Sequence, residues 1–239
     1  MKKFPYFATF SVVLALLTCV SIGYLLSTFI VSANLFQVAQ KVESGQNTYY
    51  LLSVYSAESL EEAENKLENF SDTNFGLYIY KNENSYHIIA SCYKNNNDAE
   101  LVKSNLKTNG IEAEILKLTK PSIILEGNFS ESEENVLKES LAVADNVFQS
   151  LYDITVSLDT GVTDEVTAKL KINEVYSNFL TKKNNFETLF KVNTNSDIAN
   201  MRTSFVKINE ILLDLTNSTQ DRNLSAQIKY SYTKLIIEV

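Results

Sequence analysis

The sequence predicts an α+β protein in three parts: an N-terminal transmembrane helix, a small sheet-and-helix domain and a C-terminal antiparallel helical bundle. Three observations predict it. No charged residue stands between Lys3 and Lys41. Residues 50–70 and 86–106 nearly repeat one another. From residue 131 onward, apolar residues recur at alternating steps of four and three. The chain also has only 6 glycines and 2 prolines, which argues against a loop-rich all-β fold and against a glycine-rich phosphate loop.

Residues 7–31 are mostly Leu, Val, Ile, Phe and Ala, and roughly 20 such residues span a bilayer core. A cleaved signal peptide has an apolar core of only ~7–15 residues and ends in a small-x-small site. This run is longer and lacks that site, so an uncleaved anchor is expected. Leu16-Leu17-Thr18-Cys19 has no small residue before the cysteine and the apolar run continues past it, unlike a lipoprotein signal. Lys2 and Lys3 precede the run, and the positive-inside rule then puts the N-terminus in the cytoplasm. The expectation is a single-pass protein of the cell membrane, anchored by residues 7–31, with residues 42–239 extracytoplasmic. Residues 1–36 form the cytoplasmic tip and span, and residues 37–48 a polar linker.

Residues 49–118 carry the repeat. In each half an apolar run ends in a tyrosine, Tyr55 or Tyr93. A polar loop follows, then an Ala-Glu pair (Ala63-Glu64, Ala99-Glu100), then an apolar residue seven positions after the alanine (Phe70, Leu106). The periodicity predicts strand 49–55, helix 58–70, strands 75–81 and 85–93, helix 97–109 and strand 112–118. Leu60, Ala63, Leu67 and Phe70 form one apolar helix face, and Ala99, Val102 and Leu106 the other. Asn109-Gly110 ends the second helix, and Asn82-Glu83-Asn84 turns between the middle strands. The order βαββαβ is a split βαβ arrangement, with both helices on one face of a four-stranded antiparallel sheet.

Strand alternation sorts the two faces. Tyr50, Leu52, Val54, Leu77, Ile79, Ile88 and Ala90 turn to the helices. Tyr49, Leu51, Ser53, Tyr78, Tyr80, His87, Ile89 and Ser91 turn to the other side. That second face suits a sugar, through its tyrosines and histidine. It is also apolar enough to dock on another protein or on this chain's own bundle.

Residues 119–130, with Pro121 and Gly127, read as a second linker, and residues 131–239 as helices throughout. Ser130 with Glu133 is a capping-box start. The first seam is Leu137, Leu141, Ala144, Phe148, Leu151, Thr155 and Leu158, over about 131–158. Ala168, Ile172, Val175, Phe179, Phe186 and Leu189 follow over about 164–190, interrupted by Lys182. The third seam is Ile198, Met201, Phe205, Ile208, Leu212 and Leu215, over about 197–216. Leu224, Ile228, Tyr232 and Leu235 close the series over about 220–238. Such 3.5-residue spacing packs helices as in coiled coils, and short connections make neighbours antiparallel.

The net charge is −8. Three lysines and no acid lie in residues 1–41, which leaves −11 on the remainder. Such a surface repels nucleic acid, so no nucleic-acid partner is expected. His87 is the one histidine, which excludes a His-based metal cluster and leaves no basis for a catalytic triad in the sequence. Glu58, Glu61, Glu62, Glu64 and Glu68 read as a solvated helix face, and Cys19 and Cys92 as lone thiols. No catalytic residue, metal ligand or cofactor fingerprint is expected, and the protein reads as a non-enzyme.

The repeat resembles the SPOR domain, the sporulation-related repeat of bacterial cell-envelope proteins. The residues that carry the resemblance are Tyr50-Leu51-Leu52-Ser53-Val54-Tyr55 with Glu62-Ala63, then Tyr86 to Tyr93 with Asp98-Ala99. It covers about 70 residues and implies a ferredoxin-like βαββαβ fold. It also implies binding of peptidoglycan, through glycan strands stripped of their stem peptides, in septation or sporulation. The implied glycan contacts are Tyr49, Ser53, Tyr78, Tyr80, His87 and Ser91. Leu51 stands where the family often has glutamine, Ser53 and Ser91 where glycines are common, and Ile89 at a polar position. The alternative is an envelope scaffold that binds protein partners through the sheet face and the bundle, without glycan.

Overall fold

The structure is a computed structural model, and it describes residue 24, residues 40–191, residues 195–217 and residues 223–239. The chain divides into two compact units, residues 1–40 with 126–129 and residues 41–125 with 130–239. The four-stranded sheet and all seven helices treated below lie in the second unit.

The repeat region folds as β2 (Asn47–Ala57), α1 (Leu60–Leu67), β3 (Tyr78–Asn82), β4 (Ser85–Tyr93), α2 (Asn96–Thr108) and β5 (Glu114–Lys120). A 3-10 turn, Glu68–Phe70, extends α1. The sheet order is β3-β4-β2-β5, with every neighbouring pair antiparallel. Helix starts follow the side-chain chemistry. Ser59 Oγ accepts the Glu62 N–H and Asn95 accepts the Asn97 N–H, so each satisfies an orphan donor of the first turn. Gly110, at φ 79, ends α2 in the left-handed region that favours glycine.

Strand β3 begins three residues later than the periodicity predicts. Leu77 takes φ 54, a left-handed value that interrupts extended backbone and costs an L-residue roughly 1–2 kcal/mol. Its side chain is buried with Val54, Ala57, Ala63, Ile88 and Ala90, which holds the conformation. Between β2 and β4 the register shifts twice, around Ser53. The helix-facing core then continues through Leu52, Tyr93 and Ala99, with Tyr50 and Ile115 against it.

The two segments read as linkers contain strands. Strands β1 (Gln40–Glu43) and β6 (Ile124–Gly127) form a separate two-stranded sheet. Beside it the Ser44 N–H donates to the Ile123 carbonyl at 2.9 Å, and the Ile123 N–H to Ser44 Oγ at 2.8 Å.

The helical remainder comprises α3 (Glu131–Leu141), α4 (Val143–Asp159), α5 (Glu165–Leu189), α6 (Ser196–Asn217) and α7 (Leu224–Glu238). Ser130 and Glu133 make the reciprocal capping box. The single long helix expected over 131–158 is interrupted at Ala142, where ψ is −4. Ser140 Oγ donates back to the Val136 carbonyl at 2.7 Å, a bond that bends helices. Helices α4 to α7 pack each against the next, and α4 against α7 closes the ring. Asp159, at the end of α4, accepts Ser225 Oγ and Lys229 Nζ of α7, both at 2.6 Å.

Helix α7 also packs on β4 and β3. It buries Ser225, Ala226, Ser231, Thr233 and Ile236 in addition to its seam residues. A helix buried on more than one face is a core element. Here it is the layer shared by bundle and sheet.

One part of the expected fold class is corrected. Among the described residues no helix is long and apolar enough to cross a membrane. The long described helices alternate core positions with charged ones, as α5 does with Lys169, Lys171 and Glu174. The expected transmembrane helix over 7–31 lies, Tyr24 apart, outside the described residues. The single-pass localisation built on it is withdrawn with it.

Gly76 sits against the backbone of α7. A Cβ there would stand 2.7 Å from the Tyr230 nitrogen and 2.8 Å from the Lys229 carbonyl carbon. Gly76→Ala is therefore expected to lower unfolding stability by about 1–3 kcal/mol in urea denaturation, and an unchanged midpoint would contradict the close approach. Thr233 Oγ1 is buried without a hydrogen-bond partner. Thr233→Val is expected to raise stability by about 1 kcal/mol in the same assay, whereas a loss of that size would show that the hydroxyl is satisfied.

Candidate functional site

The second face of the sheet meets the bundle. Tyr49 packs edge-on against Phe148 of α4 at 5.4 Å, and Phe148 packs edge-on against Tyr232 of α7 at 5.3 Å. Tyr152 stacks on Phe148 and meets Tyr93 edge-on. Edge-to-face and offset rings at these separations are the favoured geometries. Two polar contacts pin the seam. The Tyr49 hydroxyl donates to Asp145 Oδ1, and Ser91 Oγ and the Tyr232 hydroxyl share a hydrogen bond of 2.5 Å. Asn47 Nδ2 donates to Asp145 Oδ2 at 2.6 Å, and Lys94 lies 3.7 Å from Oδ1. Burial holds the Asp145 carboxyl above the usual carboxylate range, and the Asn47 bond opposes that rise. Burial also pushes the Tyr232 phenol well up.

The six residues singled out in the sequence part into two sets. Tyr49, Ser53, His87 and Ser91 are at most 5% exposed. Tyr49 and Ser91 lie in the seam with the bundle. Ser53 Oγ donates to the Tyr55 carbonyl at 3.0 Å and stands 3.4 Å from His87 Nδ1. In this arrangement none of the four offers a surface to a glycan, because side chains of the same chain occupy the space in front of them. Tyr78 and Tyr80 remain partly exposed on β3, an edge strand of the sheet.

His87 has a further set of contacts. Ser85 Oγ stands 3.0 Å from its Nε2, and Glu114 Oε1 stands 3.0 Å from its Nδ1. Ser85 and His87 share a strand face, and Glu114 reaches them across β2, where Ser53 is small enough to leave room. The order hydroxyl, imidazole, carboxylate is that of a hydrolase triad. Catalysis also needs donors aimed at a developing oxyanion. Ser85 instead sits at the β3–β4 hairpin, with its hydroxyl 3.3 Å from the Asn82 carbonyl it donates to. Among the described residues no cluster of His, Cys, Asp and Glu is arranged to hold a metal ion. Cys92 is buried, and burial raises its thiol far above the reactive range.

A large groove opens beside β3. Its volume is about 970 Å³. Leu60 and Glu64 of α1, Tyr78 of β3, Asp214 of α6 and Gln227 and Tyr230 of α7 line it. Tyr78 and Tyr230 stand 5.7 Å apart with tilted rings, and the Tyr78 hydroxyl donates to Glu238 Oε1 at 2.9 Å. Burial is the first cause of the raised Tyr78 phenol pKa, followed by the Glu238 bond. The groove thus offers aromatic rings beside amide, hydroxyl and carboxylate groups.

Tyr78 was legible from strand alternation. Tyr230, Gln227 and Asp214 were not, because they lie off the heptad seams. The signal for Tyr230 was an aromatic two residues before seam residue Tyr232. No family model matches this chain, and no curated protein or solved structure matches it either.

The Ser85–His87–Glu114 geometry gives a sharp test. Incubation of the full chain with a fluorophosphonate probe is expected to leave Ser85 unlabelled, as read by mass spectrometry. Stoichiometric labelling that is lost in His87→Gln would overturn that expectation.

Proposed function

We propose that this protein is a non-enzymatic binder of peptidoglycan glycan strands that acts in septation or sporulation and docks its ligand in the groove beside β3. One observation carries the reading: the groove combines two tyrosine rings with hydrogen-bonding side chains at the uncovered edge of the SPOR-like sheet. Sugar rings stack on aromatic faces, and their hydroxyl and acetamido groups need donors and acceptors. Tyr78 and Tyr230 supply the first requirement, and Gln227, Asp214 and Glu64 the second. The volume lies at the upper end for ligand pockets, of the order of 300–1,000 Å³, so it suits a sugar chain better than a single small metabolite. The site differs from the one that the family resemblance implies, because the middle of the sheet face is taken by α4 and α7.

A second reading is an envelope scaffold. It rests on exposed Val166 and Leu170 in the first turns of α5 and exposed Val162 just before it. It takes over if the full chain stays in solution when mixed with cell-wall glycan.

The deciding experiment is co-sedimentation of the full chain with purified peptidoglycan, with and without amidase treatment. Binding is expected in both cases and is expected to be stronger after the stem peptides are removed. Tyr78→Ala and Tyr230→Ala are each expected to weaken it about tenfold while the circular dichroism spectrum stays unchanged. No binding under either condition, or full binding by both variants, would sink the proposal.

A further inference from the structure

A second cavity lies beside β5, at the opposite edge of the sheet from the groove. Its volume is about 100 Å³. Pro121, Val143, Ala144, Phe205, Ile208 and Ile236 give it an apolar wall. Lys120, the last residue of β5, also lines it and is half-buried.

The charges around this cavity are unevenly satisfied. Asp145 lines it too, but its carboxylate already takes the Tyr49 hydroxyl, Asn47 Nδ2 and the Lys94 ammonium. Lys207 Nζ donates to the Glu238 carbonyl at 2.7 Å. Lys120 has no carboxylate within ion-pair distance among the described residues. Burial lowers its ammonium pKa, and the positive charge of Lys207 lowers it further. Burying an ammonium without a counter-ion is costly. An anion placed against Lys120 in the cavity offsets that cost.

We propose that this cavity is a binding site for a short-chain carboxylate, whose carboxylate pairs with Lys120 and whose alkyl tail enters the apolar pocket. Volume limits the occupant. A cavity of ~150 Å³ admits benzene, so this one takes a chain of a few carbons and excludes long fatty acids. Charge sets the head group: an alcohol of the same length fills the pocket and leaves Lys120 unpaired. The apolar wall sets the tail: inorganic phosphate pairs with Lys120 and leaves the pocket unfilled. This site shares no residue with the groove beside β3.

The test is an NMR titration of the full chain with sodium butyrate, 1-butanol and inorganic phosphate. Butyrate is expected to shift the amides around Lys120 and Ala144 saturably. Butanol and phosphate are expected to bind at least about tenfold more weakly. Lys120→Gln is expected to weaken butyrate at least about tenfold, and Ala144→Phe, which fills the pocket and keeps the charge, to abolish its binding. Melting curves establish that both variants fold. The comparison of the three probes on the unaltered chain stands whether they do or not. Absence of saturable shifts with butyrate, equal binding of butanol or phosphate, or undiminished binding by folded Lys120→Gln would each overturn the proposal.

Discussion

The seating of the sheet's second face on α4 and α7 is the contact on which the rest of the molecule depends. A four-stranded sheet has two faces, and α1 and α2 cover only one. The other carries Tyr49, which is 1% exposed, and buried Ile89 and Leu51. Its apolar area needs cover, because removing it from water supplies the main favourable term in folding. Tyr49, Phe148, Tyr152 and Tyr232 form the apolar centre of that contact. The Ser91–Tyr232 bond and the donors to Asp145 fix its register. Small residues make the approach possible. Ser225, Ala226 and Ser231 keep α7 narrow, and Gly76 lies directly on its backbone.

The two cavities are consequences of the same contact. A flat helical layer cannot follow a sheet to both edges, so space opens at each side. Beside β3 the space is wide and mixed in polarity. Beside β5 it is narrow and apolar, with one unpaired ammonium. The open space therefore lies at the margins of the sheet, while its middle is filled by packing. The aromatic and polar residues of that middle serve as packing and register, the same roles a polar seam takes in a helical bundle.

Much of this was written in local patterns. The alternation in 49–55 and 85–93 separated Leu52, Val54, Ile88 and Ala90 from Tyr49, Ser91 and His87, and the structure keeps those groups on opposite faces. The steps of four and three picked out Phe148, Phe179, Phe205 and Tyr232, all buried. Local patterns failed where a long-range contact decides the outcome. Leu77 turns left-handed because its side chain joins the core, which no nearest-neighbour preference shows. The break at Ala142 follows a serine bond back to its own helix. Pairing of β1 with β6 joins segments more than 80 residues apart.

The second face of α7 was present in the sequence as Ser225, Ala226, Ser231 and Thr233. Those residues lie off the seam of Leu224, Ile228, Tyr232 and Leu235, so the spacing of apolar residues does not mark them. The groove followed the same logic, since Asp214, Gln227 and Tyr230 lie off the helical seams, and docking of sheet on bundle was one of several readings of the sheet's second face. Glu114 reaches His87 across an intervening strand, so that pairing needed the sheet register. The expected membrane span rested on residues 7–31, and no described helix supplies it.

Docking of sheet on bundle is tested most directly by a double-mutant cycle between Ser91 and Tyr232, read by urea unfolding of the full chain. Ser91→Ala, Tyr232→Phe and the double variant close the cycle. A buried bond between two hydroxyls predicts a coupling of about 1 kcal/mol. Additive effects within error would show that the two side chains do not meet, and that the sheet's second face is open.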